Sequence, residues 1–339
     1  MAAEVDDAAA PSVDLLSTAM ELRAFLRAVH TSPLNANGVL YQRTPQLDEA
    51  IRSYAHEYMP ALAAGRYAEP ALDVAWVWFL HRLAPAAYGR DCTAAFGRLI
   101  DADPTAPLPG WRTASRRPEA TRYDVCRGGA ALAVTCDLAA TAERQGGFLW
   151  QVRWPEYDSA DFLADSHARY LRLLRLWALR PKAFLVPTYA QDLFWHAHMA
   201  HPVAYATDCA RLCGRLIDHD DSVTDRSPGS KLNTSAQSTA ELWATAYPGD
   251  TWAQPGGMFR GHPPDWYWLY PHIAAMPGGP VPEGLADSAP ADDYEDSSHD
   301  GRVLALGLGL RVGVVVAVAV VAVAVAVAFR HQTSSLSGY

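Results

Sequence analysis

The stretch from Trp195 to Asp221 gathers four histidines, His196, His198, His201 and His219, followed directly by Asp220 and Asp221. Imidazole and carboxylate groups are good ligands for divalent transition metals. The set His196, His198, His201, His219 and Asp220 is therefore a candidate site for zinc or iron, with metal-dependent chemistry as its corollary. Helix geometry limits that reading. On a helix His196 and His198 point about 200° apart and cannot chelate together, whereas His198 and His201 share a face. Pro202 disfavours helical backbone at His201, so a helix ends there and the side chains around the break could turn toward one another. The plainer reading makes these rings hydrogen-bonded core residues that need no cofactor. It is preferred, because a buried histidine is most often merely satisfied.

Two further groups could do chemistry. Arg169, Arg172, Arg175, Arg180 and Lys182, with Tyr170 and Trp177 between them, form a basic run that could meet phosphates or anionic headgroups. Their spacing of about three also fits an ordinary solvated helix face, the favoured alternative. Cys209 and Cys213 stand four apart without a CxxC partner and read as core thiols. The chain carries no GxSxG elbow, P-loop, GxGxxG or HExxH motif, so the balance leans away from an enzyme.

The elements that must position these residues repeat. At an offset of 117, Trp78, His81, Pro85, Tyr88, Asp91 and Cys92 align without a gap on Trp195, His198, Pro202, Tyr205, Asp208 and Cys209, and Gly97–Asp101 on Gly214–Asp218. Each unit, 72–101 and 189–218, reads as a buried helix, a break at proline and a second helix ended by glycine. The expected fold is mainly α, with two related helical halves packed into one body over 12–270. His81 and His198 recur in both units, which suggests architecture, whereas positions 196, 201 and 219 align with Phe79, Ala84 and Ala102. Ser12 and Thr44–Pro45 are candidate helix starts, and Ser159 opens another helix. The alternation of Phe148, Trp150, Val152 and Trp154 allows a minor β component. Residues 102–121 and 221–237 read as loops, and 247–273 as an irregular aromatic piece.

The chain of 339 residues is 50% hydrophobic and 19% charged, so it can bury a large core. Its net charge of −9 argues against nucleic acid as a partner, and 26 Arg against only two Lys reads as GC-rich coding. Five cysteines suit a reducing compartment. Residues 1–11 are acidic, with no signal-like pattern, and are expected to be disordered. An acidic Pro/Gly/Ser linker over 271–302 leads to an apolar segment, 303–329. Its core, Val312–Phe329, holds 18 uncharged residues, ten of them Val and six Ala. As a helix that core is about 27 Å long, close to a bilayer's hydrocarbon thickness. The segment is expected to act as a single-pass tail anchor with the body facing the cytosol and a short tail, 330–339, beyond it. The membrane would be the partner of 312–329.

Four ordered blocks resemble the glycine-rich domain-containing protein family of plants and fungi. They are Pro70–Cys92 (PALDVAWVWFLHRLAPAAYGRDC), Asp137–Val152 (DLAATAERQGGFLWQV), Phe184–Asp221 (from FLVPTYAQDLFWHAH to GRLIDHDD) and Gly256–Pro264 (GGMFRGHPP). The resemblance covers about 15–270. It implies an intracellular plant protein of a family linked to growth and stress responses, with no established activity; the absence of catalytic motifs and the apolar repeat favour a non-catalytic interaction or regulatory role. Two departures matter. This chain has an acidic linker and a Val/Ala segment in place of a Gly-rich C-terminal region, so RNA-binding ideas about relatives do not carry over. The family's first block usually reads Trp-His-x-His, and Phe79 stands here in place of the first His.

Overall fold

The computed structural model describes residues 10–67, 69–101, 107–108 and 130–276, and every regular element among them is helical. The first half of the chain carries α1 (Leu15–Thr31), α2 (Pro45–Ser53), α3 (Met59–Ala63), α4 (Leu72–Arg82) and α5 (Pro85–Phe96). Then follow α6 (Leu138–Gln145), α7 (Phe148–Val152), α8 (Ala160–Leu179), α9 (Tyr189–Met199), α10 (Pro202–Cys213), α11 (Lys231–Ala246), α12 (Asp265–Leu269) and α13 (Pro271–Ala274).

Local chemistry explains most boundaries. Thr44 and Ser159 each accept a bond from a first-turn amide, and Thr188 with Gln191 forms a reciprocal capping box at the start of α9. Pro85 and Pro202 open α5 and α10, where their missing N–H is not needed. Gly97 and Gly214, at φ 72° and 70°, close them in the left-handed conformation that glycine adopts without strain. Between α2 and α3 the chain makes one wide π turn, with the Met59 amide reaching Tyr54 O. That turn lets the helical path continue into Pro60.

Helices α4 and α9 form the centre. All of α4 is buried, and so is nearly all of α9. The α2–α3 stretch, α5 and α6 pack on α4, while α1, α8 and α10 pack on α9. Burial on every side explains why the apolar residues of both helices are spread around the axis rather than confined to one stripe.

Two sets of buried polar side chains tie these helices together. Trp78 Nε1 donates to Tyr88 Oη (3.0 Å), and that hydroxyl donates to Ile100 O (2.9 Å). Trp195 Nε1 donates to Tyr205 Oη (2.7 Å), which donates to Ile217 O (2.6 Å). Asp91 and Asp208 lie 3.1 and 3.2 Å from Nε2 of His81 and His198. An ionised carboxylate only accepts, so each Nε2 carries the proton and each Nδ1 accepts from a tyrosine, Tyr54 or Tyr170, at 2.9 Å. Both sets thus make the same bonds.

Several expectations are corrected. No strand occurs among the described residues: Phe148–Val152 is helix α7. The alternation misleads because Gln151, its polar member, is buried too, accepting from the Arg260 amide and donating to Gly261 O. Asp14, not Ser12, caps α1. Residues 231–237 belong to α11, which is capped by Ser230 and so polar that only Leu232, Thr239 and Trp243 are buried. The body also runs past 270: α13 packs on α1, and buried Arg153 donates to Ala274 O (2.6 Å). Among the described residues no helix is long and apolar enough to cross a membrane. The expected anchor 303–329, its linker beyond 276, residues 1–9 and most of 102–121 lie outside the described residues.

Trp195→Ala should lower the unfolding free energy by about 3–5 kcal/mol as a core truncation. Tyr205→Phe keeps the ring but strands the Trp195 N–H and the Ile217 carbonyl, which should cost about 1–3 kcal/mol. Urea unfolding of both variants measures this, and unchanged midpoints would refute the core assignment.

Candidate functional site

Helix α9 carries Asp192 and His196 four residues apart, so both side chains lie on one face. After Gly214 the chain turns back past the C-terminal end of α4. There His219 Nδ1 donates to Leu83 O at 2.9 Å. That bond fixes the tautomer, leaving a lone pair on His219 Nε2. It points at His196 Nε2, 3.3 Å away, and Asp192 Oδ1 lies 3.5 Å from His196 Nε2 and 3.9 Å from His219 Nε2.

The surroundings are aromatic. The Phe148 ring lies 4.4 Å from the His196 ring, the Phe79 ring 6.3 Å from it, and the Trp195 ring 4.8 Å from that of His219. His196 is fully buried, while the side chains of His219 and Asp192 are 7% and 17% exposed. Burial, aided by Asp221 and opposed by His219 and Arg226, raises the Asp192 carboxyl to about 6. Burial pushes His196 well below the ordinary histidine value, and the neighbouring His219 adds to that. At neutral pH the site therefore holds one carboxylate beside a neutral His196.

Of the five residues expected to form a metal set, the structure brings together only His196 and His219. His198 is held between Tyr170 and Asp208, and His201 Nε2 lies 2.9 Å from Thr18 Oγ1 on α1. Asp220 is exposed and accepts from Ser222. Sequence reasoning missed Asp192, although its i, i+4 spacing from His196 was the available signal.

The basic run is divided. Arg169 and Arg172 both pair with Asp250, at 3.1 and 2.8 Å, while Arg175, Arg180 and Lys182 are exposed. Tyr170 and Trp177 are buried on the opposite side, so they offer no stacking surface between the arginines. A second feature had no signature in the sequence: a cleft of about 400 Å³ lined by His30, Asn35, Tyr41, Trp268, Leu269 and His272. Of these Leu269 is 69% exposed.

Residues 112–208 match the family described as glycine-rich domain-containing protein-like. The chain is similar to Glycine-rich domain-containing protein 2 of Arabidopsis thaliana, being 32% identical over 302 residues that cover 78% of this chain and 36% of the relative. Its similarity to Glycine-rich domain-containing protein 1 of the same plant is also 32%, over 286 residues covering 75% of this chain and 34% of the relative. No solved structure matches. This mainly helical chain therefore carries a glycine-rich domain-containing protein-like domain, the family its sequence blocks resemble. It spans about a third of the length of these curated relatives.

The buried imidazoles set the acid behaviour of the body. Burial pushes His30 and His201 down to about 4, and lowers His81, His196 and His198 as well. The folded rings stay neutral while unfolded ones take protons below about 6.5, so stability is full above that pH and falls toward 4. Asp192 acts in the opposite sense, because its raised value lets the folded state take one proton first. The histidines outnumber it. The unfolding free energy from urea titrations should therefore drop between pH 7 and 5, by about 1.4 kcal/mol per pH unit for each net proton. A flat profile would contradict neutral burial of these rings.

Proposed function

We propose that this chain is a non-catalytic intracellular interaction or regulatory protein, acting in plant growth or stress responses. Its body is built as two related helical halves and is tethered to a membrane through 303–329. The observation that carries the non-catalytic reading is the fate of the recurring histidines: His81 and His198 commit both ring nitrogens to a tyrosine and a carboxylate within the core. Groups held this way bind the body together and are not presented to a substrate. Their duplicate bonding, with Gly97 and Gly214 in the same conformation, supports the two related halves.

The cleft beside Trp268 supports a binding role. It sets an apolar wall, Tyr41, Trp268 and Leu269, beside the exposed imidazole of His272, a combination that suits a peptide segment with an apolar anchor. The tether rests on the length and lack of charge of 312–329. Nucleic-acid or anionic-lipid binding through the Arg169–Lys182 run is the weaker reading, because Asp165 and Asp250 between them already pair with Arg169 and Arg172.

The test uses the full chain in plant cells with a photo-cross-linking residue at Leu269, and at the exposed Met20 as a control. A discrete adduct at Leu269, lost with Trp268→Ala, is expected, and adduct-free protein would overturn the binding reading. In the same cells the chain should resist alkaline extraction from membranes unless 303–329 is deleted. Release of the intact chain would overturn the tether.

A further inference from the structure

His196 differs from the structural histidines. His81 and His198 have partners at both ring nitrogens, whereas His196 Nδ1 is buried with no hydrogen-bond partner, and so is Asp192 Oδ1. Nor does the recurring helix pattern need these side chains. The positions 117 residues earlier hold Ala75, Phe79 and Ala102, and Phe79 fills its place as a fully buried ring. A buried carboxylate oxygen beside two imidazoles, where alanine and phenylalanine serve the packing in the other unit, costs stability unless something engages it.

The spacing of the three atoms indicates what that is. A point equidistant from atoms separated by 3.3, 3.5 and 3.9 Å lies about 2.1 Å from each, within the zinc-to-nitrogen and zinc-to-oxygen range of about 2.0–2.2 Å. Ligand atoms on a tetrahedral ion at that bond length stand about 3.4 Å apart, against about 3.0 Å for neighbouring positions on an octahedral ion. The observed separations of 3.3, 3.5 and 3.9 Å lie nearer the tetrahedral value than the octahedral one, and a small closing of the triangle would seat a tetrahedral ion just out of its plane, the geometry zinc prefers. An outer bond is also in place, since His219 donates its other ring N–H to Leu83 O, the usual support for a metal-bound imidazole.

We propose that Asp192 Oδ1, His196 Nε2 and His219 Nε2 bind one zinc ion, leaving it one further coordination position. The ion would join α9, the segment after α10 and the end of α4. It would replace the contact between two imidazole nitrogens by two metal bonds, and give the buried carboxylate a counter-charge. The second observation that separates this cluster from a chance grouping is Asp192 Oδ1, a buried carboxylate oxygen with no hydrogen-bond partner that faces both imidazole nitrogens.

The experiment uses the full chain, purified in detergent without a histidine tag and dialysed against buffer containing micromolar zinc. Elemental analysis should give close to one zinc per chain, and chelation should lower the Tm by about 5–10 °C relative to protein in a hundredfold excess over Kd. Cobalt(II) substitution should give the intense visible bands of a four-coordinate ion. His196→Phe, which copies Phe79, should fold and lose the metal. Asp192→Asn should weaken zinc binding at least tenfold, and Asp220→Asn should retain it. Should His196→Phe fail to fold, Asp192→Asn alone decides. A folded wild-type chain that takes up no zinc, or zinc held equally well by His196→Phe or Asp192→Asn, would overturn the proposal.

Discussion

A carboxylate buried at the centre of a helical body must be fully engaged or it will unfold its surroundings. Asp91 and Asp208 meet that constraint twice, in the same way. Each takes a proton-bearing imidazole on one side and a hydroxyl and amide from a single residue on the other, Thr135 for Asp91 and Ser12 for Asp208. Two residues after each of these comes an aspartate that caps a helix, Asp137 for α6 and Asp14 for α1. The position of α1 on α9, and of α6 on α4, thus follows from one buried charge apiece. Burial opposes ionisation of Asp208, but bonds from His198, Arg211 and Ser12 outweigh it and hold this carboxyl well below the usual range.

Arginine performs the comparable task for backbone carbonyls. Arg82 lies over the Trp78 ring and donates to Pro107 O and Ala200 O. Arg153 sits among Trp150, Trp154 and Trp266 and holds the carbonyls of α13. Arg23 does the same for Val152 O and Tyr157 O. A planar guanidinium reaches several acceptors at once and lies flat on an indole, which a lysine ammonium does not. The scarcity of lysine therefore has a structural side that a reading of codon composition overlooks.

What could be read in the sequence was whatever is local or repeated. Pro85, Gly97, Pro202, Gly214 and Thr44 mark their helix ends without reference to the rest of the chain, and the spacing of Trp78, His81 and Tyr88 against Trp195, His198 and Tyr205 pointed to structural histidines, though not to Asp91 and Asp208 as their partners. Failures occurred where burial departs from polarity. Gln151 looks like the solvent side of a strand and is inside; α11 looks like a loop because little of it is covered. The candidate metal site was half legible. Its histidines were visible as a cluster, but which of them converge depends on His219 arriving beside α9, a distance of 23 residues in sequence that no local pattern specifies. Asp192 was passed over in favour of Asp220, whose exposed turn with Ser222 is a local arrangement of its own.

The seat of Ser12 on Asp208 has a consequence for synthesis on the ribosome. Asp91 can meet Thr135 across 44 residues, soon after both have emerged, whereas Ser12 must wait for a carboxylate 196 residues further on. Until α9 and α10 have left the exit tunnel, α1 is deprived of the helix it covers most, with Leu15, Ala19, Leu22 and Leu26 open to water. The nascent chain thus carries an exposed apolar helix while everything between α1 and α10 is being made, an interval in which shielding of α1 would guard against misassembly.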